Sequence, residues 1–276
     1  MTERAGVFAC DNGGYSTCVV NAKCFNQFPS VKGEFRERAL VNPQGNHDYI
    51  VEFKGKKYMA GTLAQTESRF PMQMHTRSKQ HLFYDLSIMI AIHQFGYDKN
   101  YLITSVPISM HQEVEKEGIR KRLVGEWSLV INGLERKFTI EDVKVAPETV
   151  SAFWIHEPEG KNRFLDIGSR TVGYGTTIKE GNIMKYIDSE SGTFMGKGLE
   201  ATETTNFEEF ADFLAGKLLA LWDEKDKVYL LGGGAKNKTI VDQFKKYFRN
   251  AEVMDNPQIA NAKGMYVLGR NVYGRS

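Results

Sequence analysis

The sequence predicts an α/β chain built from two related halves, and three stretches carry that expectation. Arg163-Phe-Leu-Asp-Ile-Gly-Ser-Arg-Thr-Val-Gly-Tyr-Gly-Thr-Thr177 reads as a strand ending in a carboxylate, a tight glycine turn and a returning strand. Val7-Phe-Ala-Cys10, then Asp11-Asn-Gly-Gly14, then Ser16–Val20, repeats that design near the N-terminus. Val228-Tyr-Leu-Leu-Gly-Gly-Gly-Ala235 adds a buried-type strand running into three glycines. An aspartate beside a glycine turn is an ordinary hairpin signal; two copies gain specificity from the third element. Glycine lets the backbone approach a ligand, and hydroxyls and N–H groups in such turns face anions. Each hairpin is therefore expected to cradle phosphate and to end in a carboxylate able to hold a metal ion.

Composition narrows the classes. A length of 276 residues allows one large domain or two of medium size. Hydrophobic content of 41% with 25% charged residues is that of a soluble globular chain. A net charge of +2 is too small to imply a nucleic-acid groove, and Lys54-Gly-Lys-Lys57 and Arg120-Lys-Arg122 read as solvated surface. No apolar run approaches the roughly 18 residues of a membrane span, and no apolar signal region follows Met1-Thr-Glu-Arg4. Cys10, Cys18 and Cys24 fit no metal spacing and read as reduced thiols of a cytoplasmic protein.

In order, Val7–Val20 forms the first hairpin, and residues 49–53 with 58–61 form another, turning at Lys54-Gly55. Ser78 is the expected N-cap of a helix to about Phe95, with Leu82, Phe83, Leu86, Met89, Ile90 and His93 on one face. His93 is expected there as a core-edge residue rather than a ligand. Residues 101–106 form a buried-type strand closed by Pro107, and His111–Leu123 a charged, exposed helix. Trp127–Ile131, the Asn132-Gly133 turn and Arg136–Ile140 form a hairpin that continues through Val143–Ala146 into Pro147-Glu-Thr149. A helix over about 149–156 and a linker at Glu157-Pro-Glu-Gly-Lys161 follow. After the central hairpin come a strand over 182–187, a polar loop over 189–198 and a helix from Asn206 to about Trp222, capped through Glu209. A strand over 228–231, a helix over 237–248 and a last helix opened by Asn256-Pro257 and running to about Gly269 complete the chain. The two like halves suggest a duplication.

Common phosphate loops do not account for these glycines. Gly192-Thr-Phe-Met-Gly-Lys-Gly198 is one residue short of a Walker loop and lacks the hydroxyl after lysine. Gly232-Gly-Gly-Ala235 lacks dinucleotide-fold spacing, and there is no nucleophile elbow. The order that remains resembles the actin-like nucleotide-binding fold. Asp11-Asn-Gly-Gly14 resembles its first phosphate loop, and Ala146-Pro-Glu-Thr-Val-Ser-Ala152 its first connecting helix with a water-positioning carboxylate. Asp166-Ile-Gly-Ser169 resembles the second phosphate loop, Leu231-Gly-Gly-Gly-Ala235 the adenosine loop and Asn261-Ala-Lys-Gly-Met265 the second connecting helix. Phe138-Thr-Ile-Glu-Asp-Val-Lys-Val-Ala-Pro-Glu148 and Gly264-Met-Tyr-Val-Leu-Gly269 look like plasmid-segregating bacterial actins of the ParM type. The short stretch between Asp166 and Gly232 resembles the AlfA type, which lacks subdomain IIB. Ser169-Arg170 and Gly14-Tyr15 depart from the family's usual small and hydroxyl residues.

The resemblance implies a duplicated RNase H-like fold of two domains around a nucleotide cleft, the second domain truncated. Domain I would span 1–157, with 257–276 returning to it, and domain II 158–256. It implies ATP or ADP, with GTP or GDP as the alternative, and Mg²⁺ held by Asp11 and Asp166 through water. Asp11, Asn12, Gly13, Gly14, Tyr15, Gly168, Ser169 and Arg170 would take the phosphates, with backbone N–H groups at 13–15 and 168–170 gripping them. Gly232, Gly233, Gly234 and Ala235 would take the nucleoside side, and Glu148 and Asp166 would carry the chemistry. By position alone Glu148 reads equally well as a helix-N-terminal carboxylate favoured by the dipole, and Arg170 as a surface arginine after a turn. Gly264 inside a helix implies close backbone packing against the neighbouring domain. The partners implied are other copies of the chain in a filament and a DNA-binding adaptor on a plasmid centromere, with no direct nucleic-acid or membrane contact. A small-molecule kinase or a chaperone-like switch of the same superfamily is the alternative; it would need a substrate insertion or a peptide-binding domain, and the chain carries neither signal.

Overall fold

The computed structural model describes residues 4–40, 45–72 and 79–274. Backbone contacts divide the chain into two compact units. Met1–Ser105, Gln112–Val145 and Gly269–Ser276 form the first; Val106–His111 and Ala146–Leu268 form the second. Glu157–Lys161 lies within the second unit and leads into its first strand.

In chain order the first unit runs β1 (Ala5–Asn12), β2 (Ser16–Val20), β3 (Phe25–Pro29), β4 (Lys32–Glu34), β5 (Asp48–Phe53), β6 (Lys56–Gly61) and α1 (Thr62–Glu67). It continues with α2 (Leu82–Phe95), β7 (Lys99–Val106), α3 (Glu113–Leu123), β8 (Gly125–Ile131) and β9 (Leu134–Pro147). The sheet order is β3-β2-β1-β7-β9-β8-β5-β6-β4. β1 pairs antiparallel with β2 and parallel with β7, so it is covered on both edges. Val7, Phe8, Ala9 and Cys10 are all buried, the continuous apolar run of a strand packed on both faces. Asn132-Gly133 turns β8 into β9 with both residues at positive φ, 53° and 81°, as the hairpin signal requires.

Two expectations change here. Ser78 lies outside the described residues, and α2 starts at Leu82, where the His81 ring nitrogen accepts from the Phe83 N–H at 3.1 Å. α2 is also not one-faced. Leu86 through Ile92 are all buried, whereas Leu82 is exposed. Its apolar residues encircle the helix because the unit wraps it. His93 is buried and its Nε2 lies 3.0 Å from the Leu134 carbonyl oxygen, the core-edge role expected of it.

The second unit holds β10 (Gly160–Ile167), β11 (Thr171–Glu180), β12 (Ile183–Tyr186), β13 (Gly192–Met195), α4 (Phe207–Leu218), β14 (Lys227–Leu231), α5 (Lys238–Lys245), β15 (Ala251–Val253) and α6 (Ala260–Tyr273). The last residues of α6 belong to the first unit. The sheet order is β12-β11-β10-β14-β15, and β13 also pairs with β11. Leu165, Ile167, Phe210, Leu214, Leu218, Trp222, Leu230, Ile240 and Phe244 gather into its core. Arg163 is buried on β10 and is held by Asp226 at 2.8 Å, Glu190 and Thr176, tying the 188–190 turn to the sheet. Burial alone would raise the Glu190 carboxyl; hydrogen bonds from Lys161 and Arg163 overcome it and hold the group below the usual carboxylate range.

Several elements differ from the sequence reading. Residues 150–155 form a 3-10 turn rather than an α-helix. Gly192–Met195, read as loop, is a strand on β11. Asn206 caps α4 through the Glu209 N–H as expected, but the helix ends at Leu218. α5 stops at Lys245, and α6 continues past Gly269 to Tyr273. Asn256 takes a left-handed φ of 51° and makes no side-chain cap. The strands β3, β4 and β15 have no counterpart in the reading.

The two sheets share one construction. β1 and β10 each open an antiparallel hairpin, and each carries on its other edge a parallel strand, β7 or β14, entered after a helix, α2 or α4. This is the duplication that the like halves imply.

Candidate functional site

The first hairpin ends at Asp11, whose Oδ1 accepts from Ser105 Oγ at 2.8 Å. Ser105 lies near the carboxyl end of β7, the parallel neighbour, so two adjacent strands deliver both side chains to one edge. Asn12 is buried and its side chain is committed to the protein. Its Nδ2 donates to the Tyr84 carbonyl at 3.2 Å, and its Oδ1 accepts from Thr17 at 3.0 Å and Ser30 at 3.3 Å. Its main-chain oxygen accepts from the buried Lys79 ammonium at 3.0 Å. Asn12 thus shapes the turn from behind. Gly13 donates its N–H to the Ser16 carbonyl at 3.0 Å. That donor is spent inside the turn; among the described residues the Gly14 and Tyr15 N–H groups meet no acceptor, and Tyr15 is exposed.

The second hairpin repeats this geometry. Gly168 donates to the Thr171 carbonyl at 3.1 Å, so its N–H too is internal, and Ser169 and Arg170, both partly buried, follow it in the turn. A Cβ on Gly13 would meet Ser16 O at 3.1 Å, and one on Gly168 would meet Thr171 O at 3.0 Å. The same glycine does the same work in both halves. Arg170 is partly buried rather than a surface arginine. The carbonyls of Gly168, Ser169 and Arg170 accept from Leu199, from Glu200 and Ala201, and from Gly198 at 2.9–3.1 Å. A Cβ at Gly198 would overlap the Ser169–Arg170 peptide. The segment after β13 therefore straps the second turn, a role the sequence reading missed. Glycine at 198 was visible, but its target lay too far back in the chain to infer.

Asp166 Oδ2 accepts from Asn261 Nδ2 at 2.7 Å. Asn261 is 5% exposed, and its Oδ1 has no hydrogen-bond partner among the described residues. A buried polar atom left unpaired is costly, and beside a carboxylate at a strand end it marks a place for a donor such as metal-bound water. Gly232 has φ of 82°, and a Cβ there would overlap Asp166 Oδ1 and stand 2.6 Å from Ile167 O. Only glycine leaves that side of the carboxylate open. Gly234 and Ala235 are buried against Ile167 and the core, whereas Gly233 is exposed. A ligand at this loop meets Gly233; Gly234 and Ala235 support it. Asn261 was read as part of a connecting helix, not as a partner of Asp166.

Glu148 stands at the end of β9 and donates its N–H to Val106 O at 2.8 Å. The next residue, Thr149, is at φ 70°, and the following turn is 3-10. No α-helix begins here; the element that follows Glu148 is that 3-10 turn. The donor set suits Mg²⁺. It offers single carboxylates with hydrogen-bond partners, and Mg²⁺ keeps several waters and takes one or two carboxylates plus phosphate oxygens. Among the described residues no group of three or more His, Cys, Asp or Glu forms a protein-only cage.

A duplicated α/β unit with an aspartate and a glycine turn closing each hairpin defines the fold class of the actin-like ATPases. A family model described as the N-terminal domain of actin-like proteins matches residues 9–150, and the chain belongs to that family. Among solved structures it is similar to a non-polymerisable quadruple mutant of pCBH ParM: identity 16%, coverage 97% of this chain and 100% of that chain, TM-score 0.79. It is similar to AlfA from the B. subtilis plasmid pLS32 in a filament structure, at 18% identity, 94% and 97% coverage and TM-score 0.72. It is also similar to Ta0583, an archaeal actin homolog, in complex with ADP, at 15% identity, 96% and 99% coverage and TM-score 0.77. At these identities the likeness establishes the fold. No curated protein matches the sequence. Among the described residues no helix is long and apolar enough to cross a membrane.

Proposed function

We propose that the chain is a cytoplasmic nucleoside triphosphate hydrolase whose copies assemble into filaments that segregate plasmid DNA through a DNA-bound adaptor. The observation that carries this reading is the repeated turn. In each half an aspartate stands one residue before the strand's end, and the glycine two positions on closes the turn with its own N–H. Such turns suit phosphate oxygens. Phosphoryl transfer to water needs positioning and charge neutralisation more than covalent help.

A nucleoside triphosphate with Mg²⁺ supplies the transferable phosphoryl group and most of the neutralising charge. The chain supplies the rest. We assign Asp11 and Asp166 to Mg²⁺, each oriented by a hydrogen bond, from Ser105 and Asn261 respectively. Gly14, Tyr15, Ser169 and Arg170 hold phosphate oxygens, and Gly232 and Gly233 admit the nucleoside. Glu148 orients the attacking water or takes its proton.

Between Asp166 and Gly232 the chain holds β11, β12, a 3-10 turn, β13 and α4. This supports the finer reading of an AlfA-type protein without subdomain IIB. Few groups then remain to hydrogen-bond a base edge, so ATP and GTP should serve alike. Nucleotide binding and phosphate release test the assignment. Glu148→Ala should bind Mg²⁺-ADP as the parent does and hydrolyse ATP roughly 10²–10⁴ times more slowly. Asp166→Ala should lose Mg²⁺-dependent binding as well. Wild-type hydrolysis by Glu148→Ala would remove Glu148 from the chemistry.

A further inference from the structure

Thr149 is conformationally the oddest residue near the candidate site. Its φ and ψ are 70° and −66°, and Val150 N–H donates to Glu148 O at 2.7 Å. Together these define the φ-positive γ-turn, which is rare and strained. A β-branched residue at positive φ is a genuine outlier. The chain reverses in one residue because Glu148 is still bonded to β7 through Val106 O while Val150 already begins the 3-10 turn. Glycine would make the same turn without strain.

What threonine adds is a buried side chain in a defined place. Thr149 is 1% exposed. Gly173, on β11, pairs directly with Asp166 on β10. A Cβ on Gly173 would overlap Thr149 Oγ1, stand 3.2 Å from Thr149 Cβ and lie 3.7 Å from Asp166 Cβ. A glycine inside a strand marks close approach by another group, and here that group is the Thr149 hydroxyl. Two locally unfavourable choices, threonine where glycine would be easier and glycine where a β-former would be easier, have one explanation. The Thr149 side chain must lie across the strand position opposite Asp166.

We propose that Thr149 is a positioning residue for hydrolysis. Its strained turn aims the Glu148 carboxylate, and its hydroxyl, seated on Gly173, fixes that aim relative to Asp166. This rests on the nucleotide-hydrolase reading above. Strain held at such a turn is kept only where the surroundings over-determine it and belongs with functional sites.

Three substitutions separate the parts. Thr149→Gly removes the side chain and the strain, Thr149→Val keeps the shape without the hydroxyl, and Thr149→Ser keeps the hydroxyl. Phosphate release from Mg²⁺-ATP, ADP binding and thermal melting would be measured for each beside Glu148→Ala. Thr149→Gly should melt no lower than the parent yet lose about 10²-fold in kcat, the cost of a misplaced group. KM and the ADP Kd should stay within about threefold, the mark of an interaction made in the transition state. Thr149→Ser should return kcat to within about tenfold of the parent, and Thr149→Val should lie below Thr149→Ser. Parental kcat in Thr149→Val or Thr149→Gly overturns the proposal. So does a low-melting Thr149→Gly beside a Thr149→Val with parental kcat, which would make the residue structural only. If Glu148→Ala loses turnover while the Thr149 variants do not, this inference fails alone; if Glu148→Ala keeps turnover, the reading beneath it fails.

Discussion

Lys32 shows how one buried group can set a pH dependence for the first unit. It is 2% exposed, and its ammonium donates to Ser30 O at 2.9 Å and to Ser87 Oγ. Burial pushes its pKa down from 10.5 to about 7, with the neighbouring Cys10 thiol opposing the fall. Between these values the unfolded chain binds a proton that the folded chain does not. Stability from this group therefore rises with pH from about 7 to about 10, by at most about 1.4 kcal/mol per pH unit. Below about 7 both states carry the proton and the slope vanishes. The thiol of Cys10, pushed up by burial and by Asp11, bends the curve the other way at high pH, so the comparison must be internal. Lys32→Met should melt above the parent near neutral pH, and the gap should close toward pH 10. Parallel melting curves across that range would contradict this account. Nothing in the sequence singles out Lys32; its burial comes from β4 and α2 meeting, which no local pattern encodes. Asp11, Asp166 and the paired glycines were legible because a carboxylate and a φ-permissive residue leave a local signature. Thr149, Ser105 and the partnership of Asn261 with Asp166 were not, since each depends on a strand or helix distant in sequence.

At the scale of elements, two glycines in helices make opposite predictions. Gly264 in α6 lies against the 150–155 turn, and a Cβ there would overlap Ser151 O and stand 3.0 Å from Ala152 Cα. Backbone cannot yield as a side chain can. The close packing expected of Gly264 is real, but its partner belongs to the same unit. Gly216 in α4 is exposed, and among the described residues nothing lies within 4 Å of an added Cβ. Alanine favours a helix by about 1 kcal/mol over glycine, so Gly216→Ala should stabilise by roughly that amount. Gly264→Ala should instead destabilise by about 1–3 kcal/mol or more, because overpacking outweighs propensity. Urea midpoints at unchanged m-value measure both, and a Gly264→Ala midpoint at or above the parent would refute the contact. Periodicity found the long elements and failed on the short ones. Val150–Ile155 has helical spacing of apolar residues, yet the γ-turn at Thr149 delivers the chain into a 3-10 path. Gly192–Met195 is too short to declare itself and becomes a strand only by pairing with β11.

At the scale of the whole molecule, duplication explains why so much of the architecture was legible. A hairpin, a helix and a parallel strand occur twice, and each copy ends in the same aspartate-and-glycine turn. Each signal was weak alone and gained weight from its repetition. Assembly is a property that no single chain displays. Head-to-tail contacts between copies give an open filament when the rotation does not close, and the filament reading requires that nucleotide controls this step. The most direct test is pelleting of the purified chain at micromolar concentration with Mg²⁺ and ATP, GTP, ADP or no nucleotide, at low and high salt. The account predicts that the protein moves to the pellet with ATP and with GTP, at half-maximal nucleotide concentrations within about tenfold of each other, and stays in the supernatant without nucleotide. Protein that remains in the supernatant under every one of these conditions would contradict it.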